Sequence, residues 1–164
     1  MATTQQKTDL MTNITATPPV LNKRSADGGP MTVKMCYHTQ VGTGDAGSTI
    51  DICRMPAGAR IYLQESKVRV TAYGAARTMH IGNRAYTKPD GTVVAEDNDS
   101  INVSGDVSAA VVTRLIQFGT LGVAVALNDT AVFDGQVDLF ATVNVSTIPA
   151  AAVTVFQIVY SLGD

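Results

Sequence analysis

The sequence predicts an all-β protein, most simply an antiparallel, jelly-roll-like β-sandwich of about eight to nine strands. Apolar and polar residues alternate over several short segments, which is the period-2 pattern of strands with one buried face. Turn signals rich in Gly, Pro, Asn and Asp separate these segments at intervals typical of sandwiches. No segment carries a convincing helical pattern, so the fold class rests on strands throughout.

The segment from residue 48 to residue 82 predicts a three-stranded meander. Pro56 suits the second position of a type I turn, and Gly58 can take the left-handed conformation that closes a hairpin. The strands are predicted over residues 49–53, 59–72 and 77–81.

The segment before it, residues 31–38, predicts an amphipathic strand that follows a turn at residues 27–30. Its apolar face carries Met31, Val33, Met35 and Tyr37, and its opposite face carries Thr32, Lys34, Cys36 and His38. A glycine-rich loop then connects this strand to the meander.

The segment after the meander, residues 83–106, is polar and rich in turns. It predicts a long loop with at most a short strand at residues 92–95. Long loops in compact domains usually carry function. The residues predicted here to contact a partner are Tyr86, Lys88, Asp97 and Asp99.

The C-terminal third predicts the remaining strands of the sandwich. In residues 136–145 the apolar positions alternate with polar ones, with Phe140 as the exception. Residues 153–162 are apolar on both faces. A doubly apolar strand is expected in the middle of a sheet or beneath a subunit contact.

The N-terminal segment is predicted to form an arm, on a sheet edge or on another subunit. Residues 1–25 are polar and aperiodic and are expected to be flexible or extended, whereas residues 26–164 form the sandwich domain. Consecutive prolines stiffen part of the arm, where contacts with a partner are predicted at Pro18, Pro19, Val20 and Leu21. The segment lacks the pattern of a signal peptide.

The charge composition bears on the partners. A net charge of −2 argues against binding to nucleic acid, and no apolar segment is long enough to span a membrane. Only 16% of residues are charged, which favours a surface partly covered by neighbouring subunits. Cys36 and Cys53 are too few for a disulfide framework, and whether they pair with each other stays open.

Three patterns that resemble nucleotide-binding or metal-binding motifs are better interpreted as ordinary loops and side chains. Residues 42–47 match G-x-G-x-x-G, but a strand pattern follows where a dinucleotide site needs a helix. The acidic residues 96–99 lack the glycine and the glutamate of an EF-hand loop, although a loosely held cation stays open. The soft ligands Cys36, His38, Cys53 and His80 lack the spacing of a zinc site. We therefore predict no cofactor, no metal and no catalytic residue, and hence a protein that is not an enzyme.

Several stretches resemble a loosely defined group of tailed-bacteriophage proteins, the small capsid decoration, cement or head-fibre-like β-sandwiches. The stretches are ICRMPAGARI at residues 52–61, ARTMHIG at 76–82, LNDTA at 127–131 and the closing apolar strand at 153–160. In that group a strand runs into a Pro-Ala-Gly turn and then into a strand that ends at a glycine before a polar loop. The likeness covers residues 27 to the C-terminus, and the long arm and the two cysteines depart from the group.

The resemblance implies a non-enzymatic virion structural protein that stabilises the head by bridging capsid subunits. The implied partners are the major capsid protein and further copies of the chain, as a dimer or trimer. The implied location is the capsid surface, after synthesis in the host cytoplasm. An alternative is a receptor- or glycan-binding appendage of the virion, whose sugars would stack on Tyr62, Tyr73 or Tyr86. The absence of Trp counts against that alternative.

Overall fold

The computed structural model describes residues 5–7, 31–126, 130–144 and 147–162, and it confirms the predicted all-β, antiparallel fold class. Two large sheets pack against one another around one apolar core. Among the described residues there is no α-helix, and a single 3₁₀ turn spans Leu115–Gln117.

Sheet A has six strands. Adjacent strands are antiparallel, except that the first and third strands of the chain pair in parallel. In spatial order they are β1 (Gln5–Lys7), β3 (Thr49–Met55), β14 (Val137–Asn144), β6 (Thr78–Asn83), β9 (Asp97–Asp106) and β11 (Thr120–Leu121).

Sheet B is built around the doubly apolar last strand, β15 (Val153–Leu162), which confirms the expectation that this strand lies within a sheet. One side of β15 pairs with β2 (Thr32–Thr39), and the other side pairs with β4 (Ala59–Tyr62) and β5 (Lys67–Val70), placed end to end. Beyond β5 the sheet ends with β10 (Val111–Arg114), and beyond β4 it continues through β13 (Thr130–Phe133) to β12 (Val125–Ala126). A separate hairpin joins β7 (Tyr86–Thr87) to β8 (Val93–Val94).

The described chain has more strands than the eight to nine predicted, partly because the predicted strand at residues 59–72 is divided. Along β15, residue 160 faces residue 61 but residue 154 faces residue 70, so three extra residues lie between β4 and β5. Ser66 holds this interruption against β15, since its hydroxyl accepts a hydrogen bond from the Val159 N–H at 2.9 Å.

The prediction of a long loop over residues 83–106 was wrong, because its second half is the ten-residue strand β9 of sheet A. Polar residues disguise this strand in the sequence. Ser100 and Asn102 are buried, and the Asn102 side-chain amide donates to the Leu115 carbonyl oxygen at 2.7 Å. A buried polar side chain with a backbone partner can replace an apolar one at such a position.

The alternation predicted for residues 136–145 is confirmed over residues 137–144 of β14, including its exception, whereas residue 145 lies outside the described residues. Val137, Leu139, Ala141 and Val143 are buried in the core, and Phe140 lies on the opposite face. The pairing of β14 with β3 shifts at Leu139/Phe140, so that Ile52 is the extra residue of a bulge. This bulge keeps Ile50 and Cys53 on the core side while it turns Asp51 outward.

Strand β2 faces the opposite way from an ordinary amphipathic strand. Cys36 and His38 are buried, whereas the apolar set Met31, Val33, Met35 and Tyr37 is 49, 45, 43 and 52% exposed. The inward Cys36 meets Cys53 of sheet A, and both are free thiols. A hydrogen bond with Cys53, together with burial, raises the pKa of Cys36.

The burial of both thiols predicts that neither reacts with a disulfide reagent in the native protein. Buried cysteines in apolar surroundings are inert, since the reactive species is the thiolate. Treatment with Ellman's reagent should release two equivalents of chromophore in guanidinium chloride and almost none within minutes in buffer. Rapid release in buffer, with the far-UV circular dichroism unchanged, would show that one thiol is accessible.

Candidate interaction surfaces

An arginine covers the outward-facing phenylalanine of sheet A. The Arg84 guanidinium carbon lies 4.0 Å from the centre of the Phe140 ring. The same guanidinium donates to Asp51 Oδ1 through Nε at 3.1 Å and through Nη2 at 2.7 Å, and it also reaches Thr49 Oγ1 at 3.0 Å. Glu96 completes the cluster with both carboxylate oxygens within 3.2 Å of Nη1.

Burial distinguishes this Arg84 cluster from an ordinary surface ion pair. The Asp51 side chain is 4% exposed, and that of Arg84 is 21% exposed. Burial lowers the pKa of Arg84, but hydrogen bonds to Asp51 and Glu96 outweigh that effect and raise it. All these groups satisfy one another, so the arrangement indicates a structural role on the outer face of sheet A.

A second ion pair lies beside it on the same face. Arg54 donates to both oxygens of Asp138, through Nε at 2.7 Å and Nη2 at 2.9 Å. Its side chains are 36% and 22% exposed. This pair therefore has the bidentate geometry of a strong contact in a wetter setting.

The Arg84 cluster was not among the sites predicted from the sequence. Its signals were Phe140, the apolar residue on the polar side of an alternating strand, and Asp51, a carboxylate within an apolar strand. Neither signal identifies Arg84, because residues 51, 84 and 140 meet only through the pairing of β3, β14 and β6.

Two of the predicted partner contacts, Tyr86 and Lys88, lie at the β7–β8 hairpin. Tyr86 packs edge-on against Phe133 with ring centres 6.0 Å apart, so part of its ring supports the hairpin. Lys88 Nζ is 3.5 Å from Asp134 Oδ2. A contact between either residue and a partner stays a prediction.

The other two contacts predicted in this segment, Asp97 and Asp99, lie together at the start of β9. The Asp99 N–H donates to Asp97 Oδ1 at 3.1 Å. A hydrogen bond with Asp97, partial burial and the Asp97 charge raise the pKa of Asp99, which His80 at 3.8 Å opposes. In the part of the chain that the structure describes, no group of three or more His, Cys, Asp or Glu side chains is placed to hold a metal ion.

The remaining predicted contacts and the tyrosines of the glycan alternative have different outcomes. Pro18, Pro19, Val20 and Leu21 lie outside the described residues. Tyr73 was a wrong choice for a sugar platform, since it is 1% exposed and its hydroxyl bonds to Thr154. Tyr62 is partly exposed, with its hydroxyl 3.0 Å from Ser161 Oγ.

No helix among the described segments is long and apolar enough to cross a membrane.

The outer face of sheet B is chemically unlike that of sheet A. Its edge strand β2 presents the apolar column of Met31, Val33, Met35 and Tyr37. Next to this column, Val155 lies opposite Tyr37 and Gln157 lies opposite Met35. Beyond them lie four exposed basic side chains, Arg60 on β4, Lys67 and Arg69 on β5, and Arg114 on β10. The exposed apolar side chains of Val112 on β10 and Val132 on β13 lie next to them.

Two solved structures are similar to this chain in fold. A chain in the capsid of Ralstonia phage GP4 aligns over 98% of this chain and 99% of its own length, with a TM-score of 0.67 and 16% identity. A chain of the cyanophage Pam1 capsid asymmetric unit aligns over 88% of this chain and 99% of its own, with a TM-score of 0.54 and 15% identity. No protein-family model and no curated protein sequence matches. The similarity establishes a shared sandwich fold.

Proposed function

We propose that this chain is a non-enzymatic structural protein of a phage virion, which decorates or cements the head by bridging neighbouring capsid subunits. The observation that carries the proposal is the fold similarity to a capsid chain of Ralstonia phage GP4, which extends over nearly the full length of both chains. Whole-length similarity favours a shared role for the entire domain over reuse of a small module.

The surface of the protein supports the same role. A cement protein acts by binding, since it stabilises a shell by RT ln(1 + [L]/Kd) when it binds the intact shell and not its separated parts. It therefore needs apolar area and charges that a partner can cover. The apolar column of β2 supplies such area on a sheet edge.

The partners in this proposal are the major capsid protein and further copies of the chain, as a dimer or a trimer. The arm formed by residues 1–25 contributes through Pro18, Pro19, Val20 and Leu21, which contact a capsid subunit or a sister copy. The protein is synthesised in the host cytoplasm and resides on the capsid surface. The β7–β8 hairpin and Asp97–Asp99 are further contact points in the proposal.

The experiment that tests this function is reconstitution on shells. Empty capsid shells of the phage that carries this protein, genetically depleted of it, should bind the purified chain with saturation. Bound shells should then resist heat or urea better than depleted ones. Absence of binding, or binding that leaves shell stability unchanged, would contradict a cementing role, and a specific hit on a glycan array would favour the appendage alternative.

A further inference from the structure

The charges of the sandwich are divided between its two sheets. The described residues of β3, β6, β9 and β14, together with Arg84 directly after β6, carry two cations, Arg54 and Arg84, and the carboxylates Asp51, Asp97, Asp99, Asp106 and Asp138. The described strands of sheet B carry no carboxylate and bear the cations Lys34, Arg60, Lys67, Arg69 and Arg114, while the exposed Glu65 lies in the interruption between β4 and β5. The molecule is thus polarised despite a net charge of only −2.

Most of the cations of sheet B are available to a partner. Within the described part of the chain, the exposed side chains of Arg60, Lys67, Arg69 and Arg114 make no ion pair or hydrogen bond. Four exposed cations on one sheet, without a carboxylate among them on its strands, repel one another, and an acidic partner would relieve that repulsion.

The strand register places these cations beside the apolar column. One row crosses the sheet from Tyr37 through Val155 and Arg69 to Val112. The adjacent row runs from Met35 through Gln157 and Lys67 to Arg114 in the same register. The face therefore changes from apolar at the β2 edge to basic at Lys67, Arg69 and Arg114, with the exposed Val112 next to these cations. Met, Tyr and Arg are the types enriched in protein–protein interfaces.

A second copy of the chain does not complement this face. Two copies joined by the same face would bring the two sets of cations together. Sheet A of another copy would supply carboxylates, but none of its described strands bears an exposed large apolar side chain to cover the column. The complementary surface must combine an apolar strip with a row of carboxylates, and it must belong to a different protein.

We propose that the outer face of sheet B is the surface that docks on the shell-forming capsid protein, and that the docking surface of that protein is acidic beside an apolar strip. This inference rests on the proposed function and identifies which side of the sandwich faces the shell. The Arg84 side of the molecule then faces away from the shell.

The experiment compares single variants for binding to depleted shells at two salt concentrations. Arg69→Glu should weaken binding about tenfold or more and reduce its salt dependence, because it reverses a charge within the contact. Met35→Ser should also weaken binding severalfold, with no change of charge. Arg54→Glu, which makes the same change in net charge on the outer face of sheet A, should bind as the wild type does. Circular dichroism and thermal unfolding establish that each variant is folded.

The outcomes distinguish this inference from the proposed function. Failure of the wild type to bind shells would overturn the function itself. Binding by the wild type together with undiminished binding by Arg69→Glu and Met35→Ser would overturn the docking face and leave the function intact. Sedimentation velocity tests whether a second copy of the chain binds this face instead. If the wild type is an oligomer and these two substitutions dissociate it, the face forms contacts between copies, and the inference is overturned.

Discussion

Replacing Arg84 by methionine should lower the free energy of unfolding by about 3 kcal/mol at neutral pH. The substitution removes two charge-assisted hydrogen bonds to Asp51, whose side chain is 4% exposed, while the methionine retains apolar cover over Phe140. Urea unfolding followed by far-UV circular dichroism or tyrosine fluorescence measures the change, since the chain has five Tyr and no Trp.

The matched control is Arg54→Met on the same face of sheet A. Arg54 also makes a bidentate ion pair, but its side chain and that of Asp138 are 36% and 22% exposed. Water screens this partly exposed pair more than the Arg84 cluster, so we expect a smaller loss of about 0.5 kcal/mol in spite of its bidentate geometry. Equal losses for the two variants would show that burial does not set the strength of the Arg84 cluster.

A double-mutant cycle isolates the Arg84–Asp51 interaction from the rest of the cluster. Asp51→Asn should be destabilising alone, but the double variant should lose less than the sum of the two single losses. A coupling energy of about 1.5 kcal/mol or more is expected for groups in direct contact within one network. Strict additivity would mean that the two residues act separately, in spite of the 2.7 Å contact.

The sequence predicts the fold class because the alternation of apolar and polar residues along a strand depends only on residues that are neighbours in the sequence. In β14 the apolar positions and the exception at Phe140 can be read directly from residues 136–145, and the structure has them as predicted. Strand β9 shows the limit of this method. Its Ser100 and Asn102 are buried, and the Asn102 amide donates to the carbonyl oxygen of Leu115, thirteen residues away, but their polarity in the sequence suggests a loop.

The surfaces are harder to predict than the fold, because they depend on how strands that are distant in sequence pair with one another. The alternation of β2 identifies two faces, but it does not say which one faces the core. In the structure Cys36 and His38 point inward, and Cys36 meets Cys53 across the sandwich. The cationic face likewise becomes visible only when the register brings Lys67, Arg69 and Arg114 together.

Gly82→Ala should be about as damaging as the loss of Arg84, with an expected cost of about 3 kcal/mol. A Cβ at Gly82 would lie 2.8 Å from Asn98 Cα and still closer to the Asp97 carbonyl oxygen. These are backbone atoms of β9, which crosses close to β6 where their register shifts, between Ile81 and Asn83. The whole strand must move to admit one methyl group.

Gly91→Ala separates this steric effect from the general cost of losing a glycine. Gly91 has a φ of +86°, but a Cβ there would meet no atom within 4 Å, so its replacement should cost about 1 kcal/mol of backbone strain. Gly82 is not among the positive-φ residues, so any larger loss there comes from crowding. Amide hydrogen exchange should show faster exchange in β9 for Gly82→Ala and unchanged exchange for Gly91→Ala. If Gly82→Ala leaves both stability and β9 exchange unchanged, then the close crossing of β6 and β9 does not hold Asp97 and Asp99 in place.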